Sequence, residues 1–320
     1  MNLNKAPNPT RREFSERMME RGAGSDFAVF ESDIGYSTYS YLFGDKYPER
    51  YFNLGIAEVS TMAAAAGMAS SGRTVFVCGY GVFLTMRALE VVRSFVCYPN
   101  LDVKILSSHG GVTAAIDGVT HQATEDIAFM TTLPNMKVLC PCDGVSARAA
   151  FDLAIETKGP VFTRLMRDPL FELYPEGMEF RMGGSHKVRD GKDIAIAAYG
   201  DMVFEALAAA DRLDSQGIQA SVIDLYSLKP LDMEGVEEAA NATGALLVVE
   251  NHQERNGIGS FIGDGLARKG LCLPFDHIGL KDTFAESGDY RGVLETYGLS
   301  ARDIAAAALR LVAQKDRRKA

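Results

Sequence analysis

Cysteine is scarce in this chain, long apolar runs are absent, and positive charge is in the minority. Five cysteines in 320 residues do not make a disulfide framework. Cys140-Pro141-Cys142 is closely spaced, but no second Cys/His pair accompanies it, which argues against zinc. No apolar run is long enough to span a bilayer. The opening MNLNKAPNPTRREF lacks the hydrophobic core of a signal peptide. Lys and Arg number 33 against 42 Asp and Glu, and the net charge of -9 excludes non-specific nucleic-acid binding. These absences predict a reduced, cytoplasmic protein. The 47% apolar and 23% charged fractions are those of an ordinary globular chain, and the length favours two domains.

Short apolar runs alternate with helical patterns. Strands are expected at 27–30, 74–78, 103–107, 137–139 and 161–163, and helices over 10–21, 57–70, 83–97, 122–132 and 144–158. Such alternation predicts a parallel sheet covered on both faces. From 169 to 192 the chain is rich in Gly, Pro and charge, a linker signature, with Phe171 and Phe180 marking it as packed on something. Strands then resume at 194–198, 220–224, 245–249 and 276–278, with helices over 202–216, 233–241, 258–269, 290–297 and 301–314. No internal repeat or low-complexity tract is present, and the basic tail 315–320 is expected to fray. The predicted fold class is α/β, with two parallel-sheet αβα sandwich domains at 1–180 and 192–320, joined by a linker at 181–191.

One carboxylate stands at the head of an apolar helix, in FNLGIAEVSTMAAAAGMASSG. Glu58 has two readings. It is a first-turn acid favoured by the helix dipole, or a carboxyl kept in an apolar site to handle a proton. The Ala/Gly stretch behind it lets a flat ligand or another backbone approach, and an unpartnered carboxylate there is costly. A second group is DGVTHQATEDIA. Thr120 or Asp117 is expected to cap the following helix, with His121 near its start. His121 is either a satisfied structural histidine or a general acid/base beside Asp117. This loop follows the strand at 103–107, and ligands of parallel sheets bind at the carboxyl ends of strands. His109 lies in the same loop, in SSHGGVT. Arg164 and Arg167 follow the strand at 161–163, and arginine suits bidentate phosphate recognition. Two decoys fall away. GDG at 263–265 lies in a helical pattern with no Asn downstream, and GAGSD at 22–26 is a turn rather than a nucleotide loop.

Taken together, the segments resemble the C-terminal half of transketolase over nearly the whole chain. The markers are ESDIGYST, RYFNLGIAEVSTMAAAAGMASSG, GYGVFLTMRALEVVR, SSHGGVTAAIDGVTHQATED and GPVFTRLMRD, followed by IDLYSLKPLD, LLVVENH and IGLKDTFAESG. The resemblance implies a domain binding the pyrimidine of thiamine diphosphate and a smaller C-terminal domain. It places Glu58 against N1' of the aminopyrimidine, where it promotes the imino tautomer that activates C2 of the thiazolium. Tyr80 and Phe83 would flank the ring. Met86 stands where many relatives have a third aromatic, and Asp33 and Ile56 would line the same pocket. His121 would bond the donor's hydroxyketone oxygens and help move protons, and Asp117 would read a sugar hydroxyl. Arg11, Ser37, His109 and Arg167 would hold the substrate phosphate.

Departures from the pattern concern substrate, not the catalytic Glu. Val59 replaces a commonly polar residue, and Ala115-Ile116 replace a common Gly-Glu pair. The family's diphosphate-binding domain, with GDG followed by Asn, is missing. The resemblance therefore implies one subunit of a split, α2β2 transketolase. Its N-terminal partner would carry the diphosphate and most of the Mg2+ or Ca2+ binding; this chain holds no metal itself. The implied reaction moves a two-carbon ketol group from a ketose phosphate to an aldose. Rival readings are the beta subunit of a 2-oxo acid dehydrogenase decarboxylase component, half of a deoxyxylulose-phosphate synthase, and a non-catalytic homologue.

Overall fold

A computed structural model describes residues 3–319. Among the described residues twelve strands follow in chain order: β1 (Phe27–Glu31), β2 (Tyr51–Asn53), β3 (Thr74–Tyr80), β4 (Val103–Ser108), β5 (Lys137–Leu139), β6 (Val161–Arg164), β7 (His186–Arg189), β8 (Ile194–Ala198), β9 (Ala220–Asp224), β10 (Ser227–Lys229), β11 (Leu246–Gln253) and β12 (Phe275–Leu280). They form a seven-stranded sheet, β10-β5-β6-β4-β3-β1-β2, and a five-stranded sheet, β12-β11-β8-β9-β7. Pairing is parallel except at one edge of each sheet, where β10 runs antiparallel to β5 and β7 to β9.

Side chains alternate across each strand, so the first sheet fills two cores. Phe27, Val29, Phe76, Cys78 and Leu106 pack against Phe14 and Met18 of the helix Thr10–Arg21 and Ala147, Ala150 and Phe151 of the helix Gly144–Glu156. Ala28, Phe30, Val75, Val77 and Ile105 point the other way, onto Met62, Ala65, Ala66 and Ala69 of the helix Glu58–Ala69. That second core continues through Cys140, Phe162 and Tyr199 into the second sheet and the helix Ile258–Arg268. The helix Gly144–Glu156 begins with a capping box: Ser146 N donates to Asp143 Oδ1 at 2.8 Å, and Asp143 N to Ser146 Oγ at 3.0 Å.

Several expectations change. The expected helix at 83–97 contains two π-helical segments, Phe83–Arg87 and Val92–Cys97. The expected helix at 122–132 begins only at Asp126, and neither Thr120 nor Asp117 caps it; His121 ends a separate 3-10 turn, Val119–His121. The stretch expected as linker holds β7, while Phe180 packs as expected, among Tyr174, His186 and Tyr226 with ring centroids 4.9–5.1 Å away. Residues 315–319 of the tail expected to fray continue the helix Ala301–Lys319, and Ala320 lies outside the described residues; the buried Lys315 ammonium donates to the carbonyls of Asp193 and Thr243. GDG at 263–265 is helical, and its glycines let Phe275 and Met233 approach, since a Cβ would come within 3.1 and 2.8 Å of them. All five cysteines are free. Among the described residues no helix is long and apolar enough to cross a membrane.

Candidate active site

The first sheet brings the site together by topology. β6, β4, β3 and β1 are neighbours and parallel, so the loops after them leave the same edge. Ser37 follows β1, Tyr80 ends β3, His109 to His121 follow β4, and Arg167 follows β6.

Six predicted residues form a closed ring of contacts there. Tyr80 donates its hydroxyl to Ser37 Oγ at 2.9 Å. Arg11 Nη1 donates to Ser37 Oγ at 3.1 Å and also to the Ser37 carbonyl, while its Nε donates to the Arg167 carbonyl at 2.8 Å. Arg167 Nε lies 3.4 Å from Asp117 Oδ2, and its Nη1 pairs with Asp168 at 3.2 Å. Asp117 Oδ2 is 3.9 Å from His109 Nε2. The His109 ring packs edge-on to Tyr80 at 4.4 Å and closes the circle. Burial lowers the Arg11 pKa, with the Arg167 charge acting in the same direction. His109 is pushed down to about 2 by burial first, then by the charges of Arg11 and Arg167. The ring is therefore neutral, and its contact with Asp117 is not an ion pair.

His121 stands beside this ring. Its imidazole is edge-on to Tyr80 at 5.5 Å and to Phe83 at 5.4 Å, and Thr120 Oγ1 is 3.0 Å from its Nδ1. His121 thus meets the two predicted aromatic residues, while Asp117 faces Arg167 and His109.

Glu58 is the first residue of its helix and is 4% exposed. It is not a solvated first-turn acid. Its partner is Arg87, whose Nη1 donates to Glu58 Oε2 at 2.7 Å and whose guanidinium lies 4.6 Å from the Phe83 ring centroid. Met86 is half-buried beside Arg87. Ile56 is 76% exposed, and Asp33 is exposed with its carboxylate accepting from Asn53 at 3.2 Å. Asp33 also has φ +62, a left-handed turn that asparagine and aspartate tolerate.

Sequence reasoning missed two residues here. Arg87 follows Phe83 by four positions, the spacing of side-chain neighbours on a helix, and that signal was present. Glu31 ends β1 and accepts from Ile34 N at 2.7 Å, shaping the turn before Ser37; burial raises its pKa. Arg164, read as a candidate phosphate ligand, is instead fully buried and paired with Asp126 at 2.9 Å.

Buried carboxyl, apolar small-residue helix and flanking rings suit a flat, nitrogen-rich heterocycle, and the polar ring beyond them suits a hydroxylated anion. The chain matches the transketolase pyrimidine-binding domain over residues 11–171 and the transketolase C-terminal domain over residues 183–304. It is 36% identical to the 6-deoxy-6-sulfo-D-fructose transketolase subunit of a Clostridium species, over 86% of this chain and 85% of that one. It is 33% identical to an apulose-4-phosphate transketolase subunit of Phocaeicola vulgatus, over 94% and 97%. A solved split-gene transketolase, described as an inactive beta4 tetramer, superimposes with a TM-score of 0.89 at 38% identity, covering 96% of this chain and 99% of that one.

The fold and site define a transferase-type subunit of two α/β domains. The chain belongs to the transketolase family, whose members depend on thiamine diphosphate. The 2-oxo acid dehydrogenase reading is not favoured.

Proposed function

We propose that this chain is the pyrimidine-side subunit of a two-chain transketolase that moves a two-carbon ketol unit from a phosphorylated ketose to an aldose. The observation that carries this is the buried Glu58 carboxylate at the head of an apolar helix, linked through Arg87 to the Phe83 ring, which packs against Tyr80 and His121. Thiamine diphosphate supplies the carbon nucleophile when bound. Glu58 would hold a proton at N1' of its pyrimidine, in a site dry enough to favour sharing. Tyr80, Phe83 and Met86 would flank the ring, with Ile56 and Asp33 at the rim that a partner closes. His121 would orient the donor's oxygens and pass protons. Asp117 would read a sugar hydroxyl. Arg11, Ser37, His109 and Arg167 would hold the phosphate, His109 as a neutral hydrogen-bond donor.

The diphosphate and its Mg2+ or Ca2+ are assigned to a second polypeptide, because this chain's GDG is packed into helix surface. We place the assembly in the cytoplasm as an α2β2 heterotetramer. Ile116, 62% exposed beside Asp117, puts an apolar side chain where the family pattern has a carboxylate. That favours a sugar other than an ordinary pentose phosphate.

The test is a tagged purification from the native lysate, with ketose phosphates and 2-oxo acids offered to whatever complex is recovered. Ketol transfer that requires thiamine diphosphate and falls by about 100-fold or more in Glu58→Gln is expected. Ketol transfer by the chain alone at ordinary enzyme rates would sink the two-chain reading. Turnover of 2-oxo acids in place of sugars would sink the transketolase reading.

A further inference from the structure

Arg87 makes, inside this chain, the two contacts assigned above to the aminopyrimidine. It donates to Glu58 at 2.7 Å, and its guanidinium lies over the Phe83 ring at 4.6 Å. The two partners are unequal. The Glu58 side chain is 6% exposed and is fixed by the start of its helix, whereas the Arg87 side chain is 48% exposed. A guanidinium is flat, presents N–H groups to a carboxylate, and stacks on an aromatic face. An aminopyrimidine protonated at N1' offers the same three features. The carboxylate therefore always has a partner, which a buried charge needs, and the partner that is half in solvent is the one able to leave.

We propose that Arg87 is an internal latch. In the chain without cofactor its guanidinium occupies Glu58 and Phe83 as a stand-in for the aminopyrimidine, and cofactor binding displaces it outward. The inference rests on the reading of Glu58 and Phe83 as the pyrimidine site. Because a ligand must first open the closed state, its apparent affinity is reduced by the fraction of molecules that are open. The latch keeps the apolar pocket from holding an unpaired charge, at the expense of affinity.

The experiment is equilibrium calorimetry of thiamine diphosphate binding to the chain purified with its diphosphate-binding partner, with no turnover measured. Arg87→Leu is expected to bind about tenfold more tightly, since a pair with one buried and one half-exposed member lies between surface and buried ion pairs in strength. Arg87→Lys, which keeps the charge, is expected to stay close to the wild type. The gain from Arg87→Leu is expected to vanish when Glu58→Gln is already present, because the latch then has nothing to hold. Should the leucine variant fail to assemble, Arg87→Gln keeps the polar stem without the charge and is read the same way. Unchanged affinity in Arg87→Leu overturns the latch. Weaker affinity also overturns it, because Arg87 would then be holding the bound ring. If the wild-type complex binds no thiamine diphosphate, the reading of the site fails and the latch fails with it.

Discussion

Burial, reinforced by the charges of Arg11 and Arg167, holds His109 down to about 2, so near neutral pH it is an imidazole and not an imidazolium. Its backbone is left-handed, at φ +63, and Ser108 Oγ lies 2.5 Å from its Nδ1. The unfolded chain's histidine takes up a proton below about 6.5, and the folded one does not. The unfolded state then binds more protons, so stability falls as pH falls below 6.5. At about 1.4 kcal/mol per unit, His109 alone removes about 2 kcal/mol between pH 6.5 and 5. His109→Gln has no such group. Urea unfolding at both pH values should show the wild type losing about 2 kcal/mol more than His109→Gln over that interval. His252, held to about 4 by burial, adds the same sign to both proteins and cancels in the comparison. Parallel pH profiles would mean that His109 charges inside the fold, and its role as a neutral phosphate ligand would fall.

The loop after β4 carries strain at a position where the family pattern prefers glycine. Ala115, in the segment Val112–Asp117, has φ 48 and ψ -102, a left-handed region that costs a residue with a Cβ roughly 1–3 kcal/mol. Ala115→Gly relieves that strain but frees the unfolded chain, so the net gain expected is about 1 kcal/mol, read as a higher denaturation midpoint. A loss of stability would show that the alanine methyl packs well enough to outweigh the strain. The sequence departure at 115 was legible, but its conformation was not, because nothing local marks one residue of a 3-10 turn as left-handed. The same limit explains other elements. Buried strands such as β8 and β9 were read at their observed bounds because runs like Ile194–Ala198 are apolar on both faces. The edge strands β2, β7 and β10 were missed, because Tyr51–Asn53, His186–Arg189 and Ser227–Lys229 are short and half polar and owe their extension to neighbours distant in sequence. The ring joining Arg11, Ser37, Tyr80, His109, Asp117 and Arg167 was legible as a set of residue types through the family resemblance. Its hydrogen-bond order was not, because it depends on strands β6, β4, β3 and β1 lying side by side.

Across the whole molecule, Arg164 joins the two sheets and positions the loop that carries His109, Asp117 and His121. It leaves β6 fully buried, pairs with Asp126 at 2.9 Å, and donates to the carbonyls of Ala123 at 2.9 Å and of Asn251, on β11, at 2.8 Å. Asn251 in turn accepts from Val112 N at 2.8 Å and donates to Asp201 at 2.7 Å. The Val112 end of the catalytic-loop candidate is therefore anchored on β11 of the second sheet, and the Ala123 end on Arg164 of the first, which itself donates to β11. The pair itself is incompletely satisfied: Arg164 Nη1 and Asp126 Oδ1 are buried with no hydrogen-bond partner among the described residues. Desolvation then offsets much of the attraction, and the pair as a whole adds little to stability, although either member alone is indispensable. Arg164→Met is expected to cost about 3–5 kcal/mol, because it leaves the Asp126 charge buried and unpaired. Adding Asp126→Leu removes that charge, and the double variant should recover most of the loss in a urea melt. If the double variant is as unstable as Arg164→Met, the stabilisation lies in the carbonyls of Ala123 and Asn251 instead. The loop would then be held by Arg164 as a backbone clamp, with Asp126 serving only as its counter-ion.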